Sequence, residues 1–421
     1  MTIRHAAATR PRTARHARRF GTHGVLRALA ITVTAVLAFG LAGGAAVYAK
    51  MTSNMEGVDI SGMVDPIIEA TPANPDDPNA GKDVNILVLG SDVRDGENGA
   101  IGGEADGMRS DTTIVVHVSA DRERVELVSI PRDSLVDVPS CRMSDGSTTG
   151  AYNGMFNSAF ATGADNGGDI ASAAACTINT VQQNTGVRID HFVVVDFVGF
   201  VQMVDALGGV NICIPDAIDS PKAGLVLAAG YQTLNGTQAL GFARARTGEG
   251  LGDGSDTNRL GRQQRLIAAV VTEVLSKNLL TDLPALIQFA SAATSSLTTD
   301  SGLSSIDAIP GLAYSLRGVS TSNVSFMTIP FAAAPSDPNR VVWTSAADEI
   351  WANIAADVPM LGVEETPTTP TETTTPPADT AGTPTDTATA PTDTTSTAPA
   401  PAETKEAGKE AFDAGDVTAV C

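Results

Sequence analysis

Between Ala28 and Ala49 the chain runs for 22 residues without a charged side chain. At ~1.5 Å per residue, a helix of this length crosses a hydrocarbon core of ~30 Å. Seven arginines precede the run (Arg4, Arg10, Arg12, Arg15, Arg18, Arg19 and Arg27) and no acid does, whereas all 48 acidic residues follow it. The positive-inside rule keeps the arginine-rich end in the cytoplasm and exports the remainder. Val47-Tyr48-Ala49 also resembles a signal-peptide cleavage site, but the run exceeds the usual signal core of ~7–15 residues. The expectation is a retained single-pass anchor in the cytoplasmic membrane. Export follows on either reading.

After Lys50 lie 19 of the 27 basic residues and every acid, which gives that part a net charge of −29. So acidic a chain has no general footprint for nucleic acid. All four cysteines (Cys141, Cys176, Cys213 and Cys421) are on the exported side, and none has Cys-x-x-Cys spacing. Disulfides are therefore favoured over metal ligation. Four cysteines allow three pairings, which sequence alone does not separate. The expected one joins Cys141 to Cys176 across a polar, Gly-rich loop. That leaves Cys213 for Cys421, which would staple a tail back onto the fold.

Composition divides the chain into a basic cytoplasmic tail (1–27), an anchor (28–49) and a Pro- and Asp-rich stalk (50–82). A catalytic domain (83–361), a Thr/Pro-rich disordered tether (362–404) and a short tail (405–421) follow. In the domain, strand and helix patterns alternate. Strands are expected at 84–89, 113–118, 125–130, 191–195, 211–214 and 324–329. Asp196 can cap a helix over 197–207 that Gly208-Gly209 ends, and 256–277 reads as a long amphipathic helix. The pattern predicts an α/β fold, with a mixed central sheet and helices on both faces (α/β/α), after one transmembrane helix.

Charged motifs sit at the ends of these elements. Gly90-Ser91-Asp92-Val93-Arg94 follows the first strand, and Arg109-Ser110-Asp111-Thr112 leads into the second. Ile130-Pro131-Arg132-Asp133 ends the third. Ala243-Arg244-Ala245-Arg246 and Arg259-Leu260-Gly261-Arg262-Gln263-Gln264 come later. Only two of the 16 basic residues in 83–361 are lysines, Lys222 and Lys277, and seven of the arginines fall in these motifs. Guanidinium forks match phosphate oxygens in pairs. Such a cluster against an acidic background points to a phosphate or pyrophosphate site, where the hard oxygens of Asp92 and Asp111 could hold Mg2+. Each arginine also has a structural reading. Arg259 and Arg262 could form a solvated face with Asp256, Arg132 and Asp133 an ion pair, and Arg244 and Arg246 would diverge on a regular helix. No Walker lysine, dinucleotide glycine motif or Gly-x-Ser-x-Gly elbow is present. His117 and His191 fall in strand patterns and read as packed residues.

On these motifs, in this order, the chain resembles the LytR–CpsA–Psr family of cell-envelope proteins. The matching residues also include Asp190-His191-Phe192 and Val210. The resemblance implies a phosphotransferase that moves a glycopolymer from a polyprenyl-pyrophosphate carrier onto a peptidoglycan acceptor through a phosphodiester. It implies Mg2+ on Asp92 and Asp111, pyrophosphate on Arg132, Arg244, Arg246, Arg259 and Gln263, and the lipid in an apolar tunnel. Arg94, Arg109 and Arg262 join the candidate pyrophosphate set, and Asp133 or Asp111 is the candidate base. The alanine-rich composition and Thr/Pro tail have an actinobacterial character, which suggests arabinogalactan or a similar polymer as cargo. Gly96–Gly107 is a Gly-rich insertion between the two metal candidates. The same motifs also suit a lipid-pyrophosphate hydrolase, or a non-catalytic binder or regulator that grips polyprenyl phosphates.

Overall fold

Three apolar runs, joined by a polar insertion and a tight turn, build the centre of the sheet. The computed structural model describes residues 56–65, 81–93, 97–102, 107–252, 254, 256–276, 297–304, 315–362 and 407–416, with single positions 289, 292 and 312. The cytoplasmic tail, the anchor, Arg94, Cys421 and residues 363–404 of the tether lie outside these residues. Among the described residues no helix is long and apolar enough to cross a membrane.

The strands are β1 (Glu56–Val58), β2 (Val84–Ser91), β3 (Ser110–Val118), β4 (Val125–Ile130), β5 (Leu135–Val138), β6 (Tyr152–Met155), β7 (His191–Val195) and β8 (Val210–Ile214). They continue with β9 (Ile218–Ser220), β10 (Leu225–Leu227), β11 (Gly230–Leu234), β12 (Leu297–Asp300), β13 (Val324–Thr328), β14 (Phe331–Ala334), β15 (Asp337–Trp343) and β16 (Phe412–Asp413). The helices used below are α1 (Glu97–Gly102), α2 (Asn157–Gly167), α3 (Ile170–Thr185), α4 (Phe197–Ala206), α5 (Gly236–Arg244), α6 (Asp256–Ser276) and α7 (Ser345–Ala355).

Eight strands form one mixed sheet in the order β1-β12-β7-β2-β3-β4-β13-β16. β3 runs antiparallel to β2 and β4, while β7 is parallel to β2 and β13 to β4. The C-terminal ends of β2, β4, β7 and β13 therefore share one edge with the start of β3. Open α/β sheets bind ligands beyond the carboxyl ends of their strands. Alternation sorts the side chains between the two faces. Leu87, Leu89, Val115 and Val128 pack with Phe160 of α2, Ile178 of α3 and Trp351 of α7. Val88, Ile114, Val116 and Leu127 face Val204 of α4, Phe242 of α5 and Leu266 of α6. Burial of one such side chain is worth roughly 1.5–3 kcal/mol, so helices are held on both faces.

Local signals act as expected around α4. Asp196 accepts the Gly199 N–H at 2.7 Å, and Gly209, at φ 98°, closes the helix through its N–H to Val204 O. Other segments depart from the sequence reading. Residues 56–65, assigned to a stalk, join the domain: β1 pairs with β12, and Met63 packs on Ala171 and Ala175. Cys141 and Cys176 are disulfide-bonded, but the segment between them is not a loop, because Cys176 sits within α3. That helix is buried without a break from Ala171 to Gln182, with polar Ser172, Thr177, Asn179, Thr180 and Gln182 included. The tail returns to the sheet as β16. Phe412 stacks on Phe326 at 5.2 Å, and the Ala407 carbonyl passes α6 so closely that a Cβ on Gly261 would lie 2.2 Å from it. Cys213 is also disulfide-bonded.

β12 is tied to β7 by a buried pair: the Asp300 carboxylate accepts from His191 Nδ1 at 3.0 Å and from the Phe192 N–H at 3.1 Å. Burial works against charge on His191, but the hydrogen bond and charge of Asp300, with Asp190, outweigh it and raise the imidazole pKa above 6.5. A raised folded-state pKa stabilises the fold in full below the unfolded value, and that contribution is lost as pH rises through the folded one. Asp300 has the opposite sense. Burial raises it, but His191 and two backbone N–H groups bring it below the ordinary value, so its contribution is lost on acidification. His191→Gln is expected to lower Tm more at about pH 6 than at about pH 9. Equal losses at both pH values, by thermal denaturation, would contradict this.

Candidate active site

The site begins where β2 and β3 meet. Ser91 pairs with Ser110, which brings the residues that follow, Asp92 and Asp111, to the same end of neighbouring strands. The Asp92 N–H donates to Arg109 O at 2.9 Å, and the Arg109 N–H donates to Asp92 Oδ1 at 2.8 Å. This clasp closes the two ends of the Gly-rich insertion, so the extra residues leave both acids at the sheet edge. Arg132 arrives two residues after β4 ends at Ile130.

α5 brings two more arginines. Asn235 and Gln238 form a reciprocal capping box at its start, and it stops at Arg244. Ala245 is extended (φ −58°, ψ 126°), so Arg246 leaves the helix and both arginines line one cavity. The divergence expected on a regular helix does not arise. Arg244 lies 4.4 Å from the centre of the Phe197 ring and donates to Ile101 O in α1 at 3.3 Å. α6 supplies Arg259 and, one turn on, Gln263. Arg259 is only 2% exposed and pairs with Asp256 at 2.5 Å. The solvated face considered for α6 is therefore absent.

Asp111 is the hub of the charges. Its carboxylate lies 2.8 Å from Arg132 Nη1, 3.3 Å from Arg246 Nη2 and 3.9 Å from Arg259 Nη1. Burial alone would raise its pKa, but the Arg132 hydrogen bond and the three positive charges hold it below the carboxylate range. Burial, with Arg246 and Arg132 close by, pushes Arg259 down to about 10, so it stays charged at neutral pH. Arg259 Nε and Gln263 Oε1 are buried without a hydrogen-bond partner, and both residues line the cavity.

The cavity is about 610 Å3. Five arginines (Arg109, Arg132, Arg244, Arg246 and Arg259) stand with Asp92 and Asp111 on its lining. The rest of the lining is largely apolar: Val88 and Val116 from the sheet, Phe200 and Met203 from α4, Leu240 from α5 and Ile267 from α6. Such a space suits an amphiphile with a polyanionic head and a hydrocarbon body. Among the described residues no group of three or more His, Cys, Asp or Glu could hold a metal. Asp92 and Asp111 remain as a pair. Mg2+ usually takes one or two carboxylates and completes its shell with water and phosphate, so this donor set fits it.

Two sequence candidates lie elsewhere. Arg262 donates to the carbonyls of Ala245 and Leu251, pinning the loop that follows α5, and does not line the cavity. Asp133 is also absent from the lining; it lies 3.5 Å from Arg132 and 3.4 Å from Arg340. Residues that the sequence did not mark include Asn157, Asp196 and Phe197 on the lining, and Arg340, which pairs with Asp133. Asp196 was legible only as a helix cap.

At this edge of the α/β domain, arginines and aspartates stand beside apolar side chains on one cavity. The LytR_cpsA_psr family model matches residues 47–355, and the chain belongs to this family. Cell wall biosynthesis protein LcpA of Corynebacterium glutamicum is 33% identical over 263 residues, which cover 58% of this chain and 49% of that one. A protein named polyisoprenyl-teichoic acid–peptidoglycan teichoic acid transferase TagU, of Oceanobacillus iheyensis, is 32% identical over 193 residues, or 46% of this chain and 52% of that one. The chain thus spans about half the length of these relatives. The crystal structure of protein gbs0355 from Streptococcus agalactiae shares the fold, with a TM-score of 0.51 at 22% identity over 68% of this chain and 90% of that one.

Proposed function

We propose that this domain transfers a glycopolymer from a polyprenyl-pyrophosphate carrier to peptidoglycan, forming a phosphodiester. The observation that carries this reading is one cavity with arginines on one part of its lining and hydrocarbon side chains on the rest. The names of LcpA and TagU support it, since they describe a cell wall biosynthesis protein and a teichoic acid transferase. The uncharged run at 28–49 supports an anchor that keeps the domain outside the membrane, beside a lipid-borne substrate.

In the reaction, an acceptor hydroxyl oxygen bonds to the phosphorus that carries the glycan. The bond from that phosphorus to the bridging oxygen breaks, and polyprenyl phosphate leaves. The pyrophosphate supplies its own leaving group, so no ATP is needed outside the cell. Arg132, Arg244, Arg246 and Arg259 neutralise the charge on its oxygens, and Gln263 adds its amide. Phosphoryl transfer depends mainly on such positioning and electrostatics. Asp92 and Asp111 would hold Mg2+, which when bound offsets further negative charge on the phosphates. The proton of the acceptor hydroxyl passes to a base as the new bond forms; of the two candidates, Asp111 lines the cavity, where it also pairs with Arg132, Arg246 and Arg259, while Asp133 is off the lining.

Calorimetric titration with farnesyl pyrophosphate and with farnesol, in the presence of Mg2+, tests this reading. The pyrophosphate is expected to bind at least about tenfold tighter, about 1.4 kcal/mol, with the difference shrinking in high salt. Equal affinity for the two would overturn the assignment of the arginines to a phosphate head.

A further inference from the structure

Two carboxylates hold the same two arginines from different sides. Asp111, on the cavity lining, pairs with Arg132 and Arg259. Asp256, in the first turn of α6, has Oδ1 2.5 Å from Arg259 Nη2 and 3.6 Å from Arg132 Nε. The four side chains form a closed ring of alternating charge. Asp256 is not on the cavity lining, and its Oδ2 is buried without a hydrogen-bond partner. A carboxylate oxygen buried without a partner is costly, and the two guanidiniums offset that cost. Arg132 follows a strand and Arg259 belongs to a helix on one face of the sheet. A carboxylate shared by both therefore sets their spacing. Asp133 also pairs with Arg132, but its other partner is Arg340.

Building on the pyrophosphate reading above, we propose that Asp256 is a positioning residue that fixes the separation of Arg132 and Arg259 for the transition state of transfer. An entering pyrophosphate competes with Asp111 for the cavity-facing guanidinium edges. Asp256 lies off the lining and keeps its hold while that exchange happens. Its part in catalysis runs through the two arginines, without contact to substrate.

The sign of the expected effect separates positioning from charge. Removing the Asp256 carboxylate makes the surroundings of the cavity more positive, so a pyrophosphate should bind no more weakly. Loss of positioning appears in turnover instead, because small misplacements of catalytic groups cost about 10²-fold. Asp256→Asn, in the full chain, is expected to lower kcat for ligation of a short polyprenyl-pyrophosphate glycan by about 10- to 100-fold. Its Kd for farnesyl pyrophosphate should be unchanged or lower, with a folded-protein melting transition. Asp256→Glu keeps the charge and moves it by one methylene; it serves if the Asn variant does not fold, and its kcat should fall with Kd unchanged. Wild-type kcat in whichever variant folds, or a loss lying wholly in Kd, overturns the proposal. If the wild-type chain does not bind farnesyl pyrophosphate, the functional reading fails instead, which keeps the two failures distinct.

Discussion

Arg246→Ala is expected to lower ligation by about 10²–10³-fold, the usual cost of one preorganised charge donor, while the melting temperature stays close to that of the wild type. The side chain is 41% exposed and its partner is Asp111, so no core contact is lost. Arg244→Ala should act alike, since that guanidinium rests on the Phe197 ring at the cavity. Arg259→Ala makes the contrast. That side chain is 2% exposed and pairs with a partly buried carboxylate, so its loss should also destabilise the fold, by roughly 1–3 kcal/mol. Initial rates read beside denaturation curves distinguish the two cases. Wild-type turnover by Arg246→Ala with normal lipid binding would remove this arginine from the site.

Asp111→Asn carries the second large effect. The substitution takes a shared counter-charge from three arginines and a hard ligand from the proposed Mg2+ site. Activity should be lost, and what remains should need more Mg2+. Asp92→Asn should follow it, and the double variant should be little worse than either, because groups that act as a unit are not additive. Lipid binding in the apolar part of the cavity should persist in all three. Full Mg2+-dependent activity of Asp92→Asn, in a metal titration of initial rates, would put the metal elsewhere.

The centre of the fold was legible because its elements carry strong local signals. β2, β3, β4 and β7 are apolar runs, and α4 has both its Asp196 cap and its glycine stop. α3 was not legible, since from Ala171 to Gln182 its polar side chains are buried together with the apolar ones and mark no solvent-facing side. β1 and β16 are short edge strands of three and two residues, and tertiary pairing alone makes them strands. At the site, the acids and arginines were legible as motifs at element ends. Their roles were not all so. Arg259 and Arg262 are the same residue type three positions apart on α6, and only packing sends one to the cavity and the other to loop carbonyls. Arg244 and Arg246 reach the same cavity because the helix breaks at Ala245, a backbone change that residue spacing does not reveal.

Ligation itself separates transfer from hydrolysis. The full chain in detergent is supplied with a labelled polyprenyl-pyrophosphate glycan and Mg2+, with and without peptidoglycan, and the label is followed. Transfer places the label on peptidoglycan through a phosphodiester, with polyprenyl phosphate released in equal amount and little release without acceptor. Release of label at the same rate with and without peptidoglycan, and none attached to it, would contradict transfer and identify a hydrolase.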